Sequence, residues 1–400
     1  MGFLKDSVLY NKINNNTTQI ISVFLILLGL FLNISISVSQ ILLGILLLCL
    51  IISILYNKKN IIKDNPYVIY FLFYWLAVVL STFFGSEYVN FWKGLFSPWT
   101  MLIFFVTYYF VSIKNYRAII FIYAIGFLVM ILSCYYYYYM YSATNYQYLR
   151  SKSIVASYMM TSHLLSIGIV FFAGLIISAV EKSKIIIFFY IALIIFAYYA
   201  LLITATRTPI FASTLVIGLM LIYKLHLKGF IISIILFGVL IGYILTDDYM
   251  LKRFDNFAAG FKNPATSHGW RISLWSNSMV LFKDYFLFGI GEGAYGTLLE
   301  PLMPKGIDLP MSHAHNSFIM QLVVHGIVGF IAFLLFYGRI CLSFLKNLLS
   351  SPYNMIGVAI ILTFILESLT ENNFGLSLSI MQFLFLLGLL LKIIDLEKKQ

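Results

Sequence analysis

Long apolar runs separated by short polar segments account for most of the chain. A helix needs about 20 apolar residues to cross a bilayer, and most of the runs have about this length. Twelve runs can be drawn, at 19–35, 38–56, 66–84, 95–113, 117–141, 154–180, 185–204, 208–226, 229–246, 314–345, 354–371 and 376–392. The pattern predicts an all-α polytopic membrane protein with about twelve transmembrane helices, forming a single membrane domain over residues 1–400.

One boundary between runs depends on an arginine. The stretch 185–223 is almost continuously apolar and is too long for one crossing. The segment 204–209 interrupts it with Arg207 and Pro209. An arginine is costly in the hydrocarbon core, and proline favours the first turn of a new helix. We therefore predict a tight turn at Arg207.

Residues 247–312 form the one long hydrophilic stretch of the sequence. Their basic and acidic residues nearly balance, so this loop is not a basic surface patch. Within it, the segment 269–288 shows helical spacing of apolar residues, with Arg271 one turn before the first of them; these are Trp275, Met279, Phe282 and Phe286. The spacing predicts an amphipathic helix that lies at the membrane surface.

Composition and charge distribution agree with this topology. The chain is 62% hydrophobic and 10% charged, which excludes a soluble enzyme and a disordered chain. Sixteen Lys and Arg residues fall in the short loops on the side of the N-terminus. The short loops opposite hold four, namely Lys93, Arg150, Lys152 and Arg207. This bias predicts cytoplasmic termini, an external long loop, and a net charge of +11 that reflects topology rather than nucleic-acid binding.

Several kinds of chemistry have no support in the sequence. Acidic residues within the predicted spans are limited to Glu367 and Glu371, which argues against ion-coupled transport. The segment 291–296 matches GxGxxG, but it lies in an external loop without a strand–helix context, so a glycine-rich turn is the better interpretation. No HExxH or Walker sequence occurs, and no cofactor is predicted.

A histidine pair opens the tenth run, in the sequence His313-Ala314-His315-Asn316-Ser317. No further metal ligands are near in sequence, so a metal site is not predicted. A helix N-terminus attracts anions, and a neutral imidazole can accept a proton. Together with Arg207 and Arg271, His315 suggests an outward-facing site for an anionic, lipid-borne substrate. The alternative is that the arginines are interfacial anchors and the histidine is a hydrated residue at a helix start.

Three segments resemble the bacterial O-antigen ligase and polymerase superfamily. The first is 206–212, an arginine segment before the long loop. The second is 271–275 (Arg-Ile-Ser-Leu-Trp), followed by 288–291 (Phe-Gly-Ile-Gly). The third is 315–329, where His-Asn, nine residues, Gly, two residues and Gly are similar to the family's histidine signature. About twelve spans with one long loop between the ninth and tenth also agree.

The resemblance implies a specific fold and activity. Lipopolysaccharide O-antigen ligases have a membrane glycosyltransferase (GT-C-like) architecture. They transfer a glycan from undecaprenyl diphosphate to a sugar hydroxyl of lipid A–core at the periplasmic face of the bacterial inner membrane. Members are described as inverting and metal-independent. The implied partners are therefore the lipid-linked donor, the lipid A–core acceptor and membrane lipids, with no cofactor.

Roles for individual residues follow as hypotheses from this resemblance. Arg207 and Arg271 would bind the donor diphosphate and stabilise its developing charge. His315 would act on the acceptor hydroxyl, either as a base or as a positioning group. Asn316, Trp275 and His313 are further candidates for substrate binding. For Asn316 the alternative is a helix cap, and for Trp275 it is insertion into the membrane.

Other functions remain open from the sequence. An O-antigen polymerase would use the same donor with a second lipid-linked glycan as acceptor, and a protein O-oligosaccharyltransferase would share the histidine signature. From different classes, a lipid-glycan flippase or transporter would need charged groups through both leaflets, and a membrane scaffold would leave Arg207 unexplained. Complementation of a ligase-deficient and a polymerase-deficient strain would separate a ligase from a polymerase.

Overall fold

A computed structural model describes residues 8–57, 65–142, 150–246, 251, 266–304, 312–346 and 348–399. Within these ranges the chain forms helices and turns and contains no strand. Within the predicted long loop, residues 247–250, 252–265 and 305–311 lie outside the described residues. The prediction of an all-α polytopic protein therefore agrees with the described part, whereas the single membrane domain and the extent of the loop stay predictions.

Fifteen α-helices are described, with three short 3-10 helices between them. The α-helices are α1 (Val8–Phe31), α2 (Ile36–Asn57), α3 (Val68–Phe84), α4 (Phe91–Phe96), α5 (Ile103–Phe110), α6 (Tyr116–Ser142), α7 (Tyr158–Ile177), α8 (Lys184–Ile203), α9 (Arg207–Leu225), α10 (Leu227–Thr246), α11 (Ser267–Asp284), α12 (Tyr295–Leu299), α13 (Ser317–Leu345), α14 (Pro352–Ser368) and α15 (Ser377–Glu397). The 3-10 helices are Ser97–Leu102, Glu300–Leu302 and Asn373–Gly375.

Eight of the described helices are long and apolar enough to cross a membrane; they are α2, α6, α7, α8, α9, α10, α13 and α15. Three shorter apolar helices, Thr18–Phe31, Val68–Phe84 and Pro352–Ser368, coincide with further predicted spans. The remaining predicted run, 95–113, is divided between α4, a 3-10 helix and α5. Pro98 lies in the first turn of that 3-10 helix, where proline fits because it has no N–H to donate. The set of helices is that of a multi-pass membrane protein.

The helices are arranged around two buried members. Nearly all of α7 and α15 is enclosed by the other helices, and both carry buried polar side chains, such as His163 of α7 and Gln382 of α15. By contrast, most residues of α2, α8 and α10 are partly or fully exposed, as in helices that face lipid. Gly388 of α15 approaches the Phe104 carbonyl of α5, where a Cβ would come within 2.8 Å of that oxygen.

A separate layer, which we call the cap layer, covers one end of the helix bundle. It consists of α11, α12 and the adjoining turns, and it has its own apolar core, formed with the start of α13; the buried members are Trp270, Leu274, Leu281, Ile290, Ala294, Tyr295, Leu299, Met303, Ala314, Val323 and Val324. The predicted loop helix is therefore present as α11, but it packs on α13 within this layer.

The face of α11 that packs inward differs from the predicted face. Trp270, Leu274 and Leu281 are buried, whereas Trp275 is only half-buried. Phe286 lies beyond the end of the helix and is largely exposed. The sequence prediction was one residue out because it chose a stripe facing a membrane, whereas the helix packs against protein.

Helix α13 is broken at Gly326, where φ is +65°. The segment 286–291 runs alongside the break and exchanges backbone hydrogen bonds with it: Ile290 N–H donates to the Val323 carbonyl at 3.0 Å, and Ile327 N–H donates to the Phe286 carbonyl at 2.9 Å. A Cβ on Gly326 would lie 2.3 Å from the Leu287 oxygen. The glycine-rich turn thus docks on the break in α13 and fixes the cap layer to the bundle.

Candidate functional site

Asn316 caps the N-terminus of α13 and so fixes the end of the histidine segment. The Asn316 side-chain oxygen accepts hydrogen bonds from the backbone N–H groups of Phe318 and Ile319, at 3.0 and 3.1 Å. Its amide nitrogen donates to the Leu369 carbonyl at 3.0 Å. This is the N-cap geometry that was expected as one of the two alternatives for Asn316, and its role in substrate binding stays a prediction.

Glu371 joins the two histidines. It lies in the turn after α14, and its carboxylate is almost fully buried. His313 Nε2 lies 2.8 Å from Glu371 Oε1, and His315 Nδ1 lies 3.1 Å from Oε2. The Ser317 hydroxyl also donates to the Glu371 backbone carbonyl at 2.9 Å. The turn after α14 and the start of α13 therefore form one unit.

The two histidines differ in the nitrogen that they leave available. An ionised carboxylate only accepts hydrogen bonds, so Glu371 requires a proton on His313 Nε2 and on His315 Nδ1. His313 Nδ1 then accepts from the Ser312 hydroxyl at 2.9 Å. In the part of the chain that the structure describes, Nε2 of His315 makes no hydrogen bond. His315 is therefore the histidine with an available lone pair.

The Glu371 carboxylate is kept in its ionised form. Burial alone would raise its pKa, but hydrogen bonds and charge interactions with His313 and His315 outweigh burial and hold the pKa below its ordinary value. The ionised Glu371 carboxylate at neutral pH orients both imidazoles and stabilises positive charge on them. The backbone at His315 has a positive φ of 49°, a strained conformation of the kind often found at functional sites.

The predicted turn at Arg207 is present, and a second arginine braces it. Helix α8 ends at Ile203, and α9 begins at Arg207. Arg150 donates to the Thr204 carbonyl and to the Thr206 hydroxyl, each at 3.0 Å, while its guanidinium lies 3.6 Å from the centre of the Tyr158 ring. Arg150 therefore holds the turn between α8 and α9 in place.

Helix α11 links the arginines to the histidine segment. Arg207 Nη2 lies 2.9 Å from Nε2 of His268, in the first turn of α11. The Trp275 indole N–H donates to the Ala314 carbonyl, between the two histidines, at 2.8 Å. His268, Arg271 and Trp275 follow one another at spacings of three and four, so they share one face of the helix. Arg271 therefore lies between the Arg207 contact and the histidine segment.

A third contact joins the arginine turn to Glu371. The Thr370 hydroxyl donates to the Thr208 hydroxyl at 2.8 Å. Thr208 follows Arg207, and Thr370 precedes Glu371. The structure thus brings together, around the start of α13, the elements that carry the sequence-predicted residues Arg207, Arg271 and His315. Trp275 is half-buried, packs against the core of the cap layer and contacts Ala314, and its candidate role in substrate binding stays a prediction.

Buried polar contacts with α7 anchor the turn that carries Glu371. His163 of α7 has its Nδ1 3.0 Å from Glu367 Oε2, and the side-chain nitrogen of Asn373 lies 3.3 Å from the same imidazole atom. Glu367 and Asn373 flank the turn 369–372. These contacts hold both ends of the turn against α7 and so fix the position of Glu371.

His313, His315 and Glu371 also form a donor set that could hold a metal ion. Their three ligand atoms all lie within 4.8 Å of one another. The sequence offers no third ligand near the two histidines, and Glu371 supplies one from more than fifty residues away. Two imidazoles and a carboxylate are ligands that zinc accepts. The metal-free site remains a prediction.

Two residues of the site were not identified from the sequence. Glu371 was noted as an acidic residue near the end of a predicted span, but nothing in the sequence pairs it with the histidines. His268 had a usable signal, because it lies one turn before Arg271 on the same helix. Its contact with Arg207 could be found only from the fold.

Comparison with known proteins identifies the region that contains these residues. Residues 190–334 match the protein-family model described as O-Antigen ligase. The matched segment includes Arg207, His268, Arg271 and the histidine segment, and it ends before Glu371. This finding confirms the resemblance drawn from the arginine and histidine motifs, at the level of the ligase and polymerase superfamily.

A curated protein of Haemophilus influenzae, described as uncharacterized, is 30% identical over 90 residues. The alignment covers 22% of this chain and 23% of that protein. The chain therefore spans about a quarter of the length of this relative, and the likeness gives no activity.

Proposed function

We propose that this chain, whose residues 190–334 match the O-Antigen ligase family model, is an O-antigen ligase. In this proposal it moves a glycan from undecaprenyl diphosphate to a sugar hydroxyl of lipid A–core. The observation that carries the proposal is the pairing of His315 Nδ1 with the buried Glu371 carboxylate. This pairing leaves Nε2 of His315 as a proton acceptor beside the helix that bears Arg271.

The acceptor hydroxyl is the nucleophile of the proposed reaction. Its oxygen attacks the anomeric carbon of the donor sugar, and its proton passes to Nε2 of His315. Glu371 holds the imidazole with Nδ1 protonated and stabilises the imidazolium that forms. General base catalysis of this kind contributes about 10²–10⁴-fold. Base catalysis rather than positioning alone is favoured because Nε2 of His315 makes no hydrogen bond within the described residues.

The leaving group is undecaprenyl diphosphate, which takes the electron pair of the breaking carbon–oxygen bond. Arg207 and Arg271 would bind its oxygens, since a guanidinium offers paired donors that match phosphate geometry. One well-placed donor at a developing charge is worth roughly 3–4 kcal/mol. His268 positions the Arg207 guanidinium, as their 2.9 Å contact indicates.

Attack on the side of the sugar opposite the diphosphate inverts the anomeric centre. The cleaved glycosyl–diphosphate bond supplies the driving force, so no nucleotide or metal is required in this scheme. The charge distribution of the short loops supports an inner-membrane protein with cytoplasmic termini and a periplasmic site. The O-antigen polymerase remains the alternative, because it would use the same donor and the same arginines.

Complementation tests the proposal. The chain is expressed in a bacterium that makes lipid-linked O-antigen but lacks its ligase, and lipopolysaccharide is probed for O-antigen on a gel. We expect a ladder on lipid A–core that disappears with His315→Asn at equal protein level. His226→Asn serves as the matched control, because His226 ends α9 far along the helix from Arg207 and also has a positive φ. Restored chain length in a polymerase-deficient strain, without ligation, would instead identify a polymerase.

A further inference from the structure

A cavity of about 440 Å³ opens next to the histidine segment. Its walls come from α3, α4, the 3-10 helix after it, α13 and the start of α15. This volume lies within the range of about 300–1,000 Å³ that small-molecule sites occupy. His313 forms part of the wall, so the cavity adjoins the proposed catalytic histidine pair. No residue of α9 or α11, the helices that carry the two arginines, is among the lining residues.

Two side chains of the cavity wall have polar atoms without a partner. His325 is 1% exposed, and its Nδ1 makes no hydrogen bond within the described residues. In the same part of the chain, Oδ1 of Asn372 is also enclosed and unpaired. Buried polar atoms are nearly always hydrogen-bonded in native proteins. These two atoms are enclosed by protein, so the groups that a ligand in the cavity would contact are other atoms of the wall.

The charges in the cavity wall do not favour a diphosphate. Lys93 Nζ lies 3.6 Å from Glu292 Oε2, so the lysine charge is balanced by a carboxylate. His325 Nε2 lies 3.7 Å from the other oxygen of Glu292. The wall also contains Trp99 and the hydrogen-bonded pair formed by Tyr74 and Gln321. Aromatic rings with amide and hydroxyl groups suit a neutral sugar, whose C–H face packs on a ring while its hydroxyls hydrogen-bond.

The turn after α14 places this cavity relative to the arginines. Thr370 contacts Thr208 beside Arg207, Glu371 contacts the histidines, and the next residues, beginning with Asn372, line the cavity. Successive residues of the turn therefore face first the Arg207 side, then the two histidines and then the cavity. In an inverting transfer the nucleophile approaches from the side opposite the leaving diphosphate, which puts the acceptor on the cavity side.

We propose that this cavity binds the terminal sugar of the acceptor glycan and presents its hydroxyl to His315. This inference rests on the proposed function, because it assigns one substrate of the same reaction to a separate subsite. Glu292, Trp99 and His325 then determine which acceptor sugar is used, while Arg207 and Arg271 contact the donor.

Cysteine labelling tests the occupant of each side without requiring transfer. Ser97→Cys and Ser377→Cys place a thiol in the cavity wall, and Ser267→Cys places one beside His268 on the arginine side. Each variant is purified in nanodiscs and labelled with a charged maleimide. The parent chain, with its three native cysteines, gives the background. The probes are core oligosaccharide released by mild acid from the bacterium that encodes the chain, and undecaprenyl diphosphate without a glycan.

We expect the oligosaccharide to protect the two cavity cysteines and not Ser267→Cys. At about ten times its half-saturating concentration, labelling should slow roughly tenfold. Undecaprenyl diphosphate should protect Ser267→Cys alone. Two cavity reporters are used so that the test survives if one variant does not fold.

Two results would overturn the inference. One is protection of the cavity cysteines by undecaprenyl diphosphate, which would make the cavity part of the donor site. The other is full labelling of both cavity cysteines at saturating oligosaccharide. Protection by the oligosaccharide in a chain that fails to complement a ligase-deficient strain would leave the sugar site standing and refute the ligase proposal alone.

Discussion

His315 and Glu371 are 56 positions apart in the chain, yet Nδ1 of the histidine lies 3.1 Å from Oε2 of the glutamate. The contact joins the start of α13 to the turn after α14. It decides which nitrogen of His315 carries the proton, because an ionised carboxylate can only accept. The available Nε2 distinguishes His315 from His313, whose second nitrogen is engaged by Ser312.

The first prediction separates charge from geometry at the arginines. Arg271→Ala should lower the transfer rate by about 10²–10³-fold, as the loss of one transition-state donor does. Arg271→Lys should recover only part of this loss, because an ammonium group keeps the charge but lacks the paired donors. The measurement is initial transfer rate at saturating acceptor. A lysine variant with the full wild-type rate would show that Arg271 acts only as a point charge.

The second prediction concerns acid stability. The pKa of Glu371 lies below its ordinary value because of its contacts with His313 and His315. Such a group stabilises the fold above the ordinary carboxyl pKa of about 4.3, and this contribution is lost as the pH falls from there towards the lowered pKa. Glu371→Gln should therefore reduce stability at pH 7 by about 1–3 kcal/mol, and the difference from wild type should shrink below about pH 4.

Thermal unfolding in detergent at pH 7, 5 and 3.5 measures this effect. Glu300→Gln provides the control, because it removes an exposed carboxylate that has no contact with the histidines. If the difference between wild type and Glu371→Gln were the same at every pH, the ionised state of Glu371 would not contribute to stability.

The third prediction compares two glycines of α13. Gly326 has φ +65° and ψ −172°, a conformation that essentially only glycine adopts, and its Cα faces the Leu287 carbonyl. Gly326→Ala should cost about 1–3 kcal/mol from conformation alone, with a further loss from the collision. A Cβ added at Gly338 in the same helix has no other atom within 4 Å. Gly338→Ala should therefore change stability by less than about 1 kcal/mol. Equal melting temperatures for the two variants would contradict the docking of 286–291 on the break.

The fourth prediction uses the donor set of His313, His315 and Glu371. Added Zn²⁺ should inhibit transfer, because a metal bound by these three groups would occupy the nitrogen atoms that Glu371 now contacts. A chelator should restore the rate and should leave the untreated enzyme unchanged. Glu371→Gln should be less sensitive to Zn²⁺ than wild type. A loss of activity on chelation of the untreated enzyme would show that the reaction requires a metal.

The features found from the sequence are those with a local physical cause. The turn at Arg207 follows from the cost of an arginine in lipid and from the adjacent proline. The start of α13 at Ser317 follows from the capping residue Asn316, and the apolar runs give most of the helices. For these elements the residues that determine the structure are neighbours in the chain.

The features missed are contacts between distant segments. Glu371 meets the histidines only because α13 and α14 pack together, and Arg207 meets His268 only because α11 folds back over the bundle. The buried face of α11 was misplaced by one residue, since apolar side chains suit a protein core and a membrane surface equally well. The cavity has no sequence signal, because its walls come from five separate segments.

The most direct test of the account is glycan transfer by the purified chain from an undecaprenyl-diphosphate donor to lipid A–core. Wild type is compared with His315→Asn and His313→Asn; asparagine tolerates the positive φ of His315. We predict a loss of about 10²–10⁴-fold for His315→Asn and a clearly smaller loss for His313→Asn. A folded His315→Asn variant that transfers glycan within about threefold of the wild-type rate would contradict the assignment of His315 as the proton acceptor.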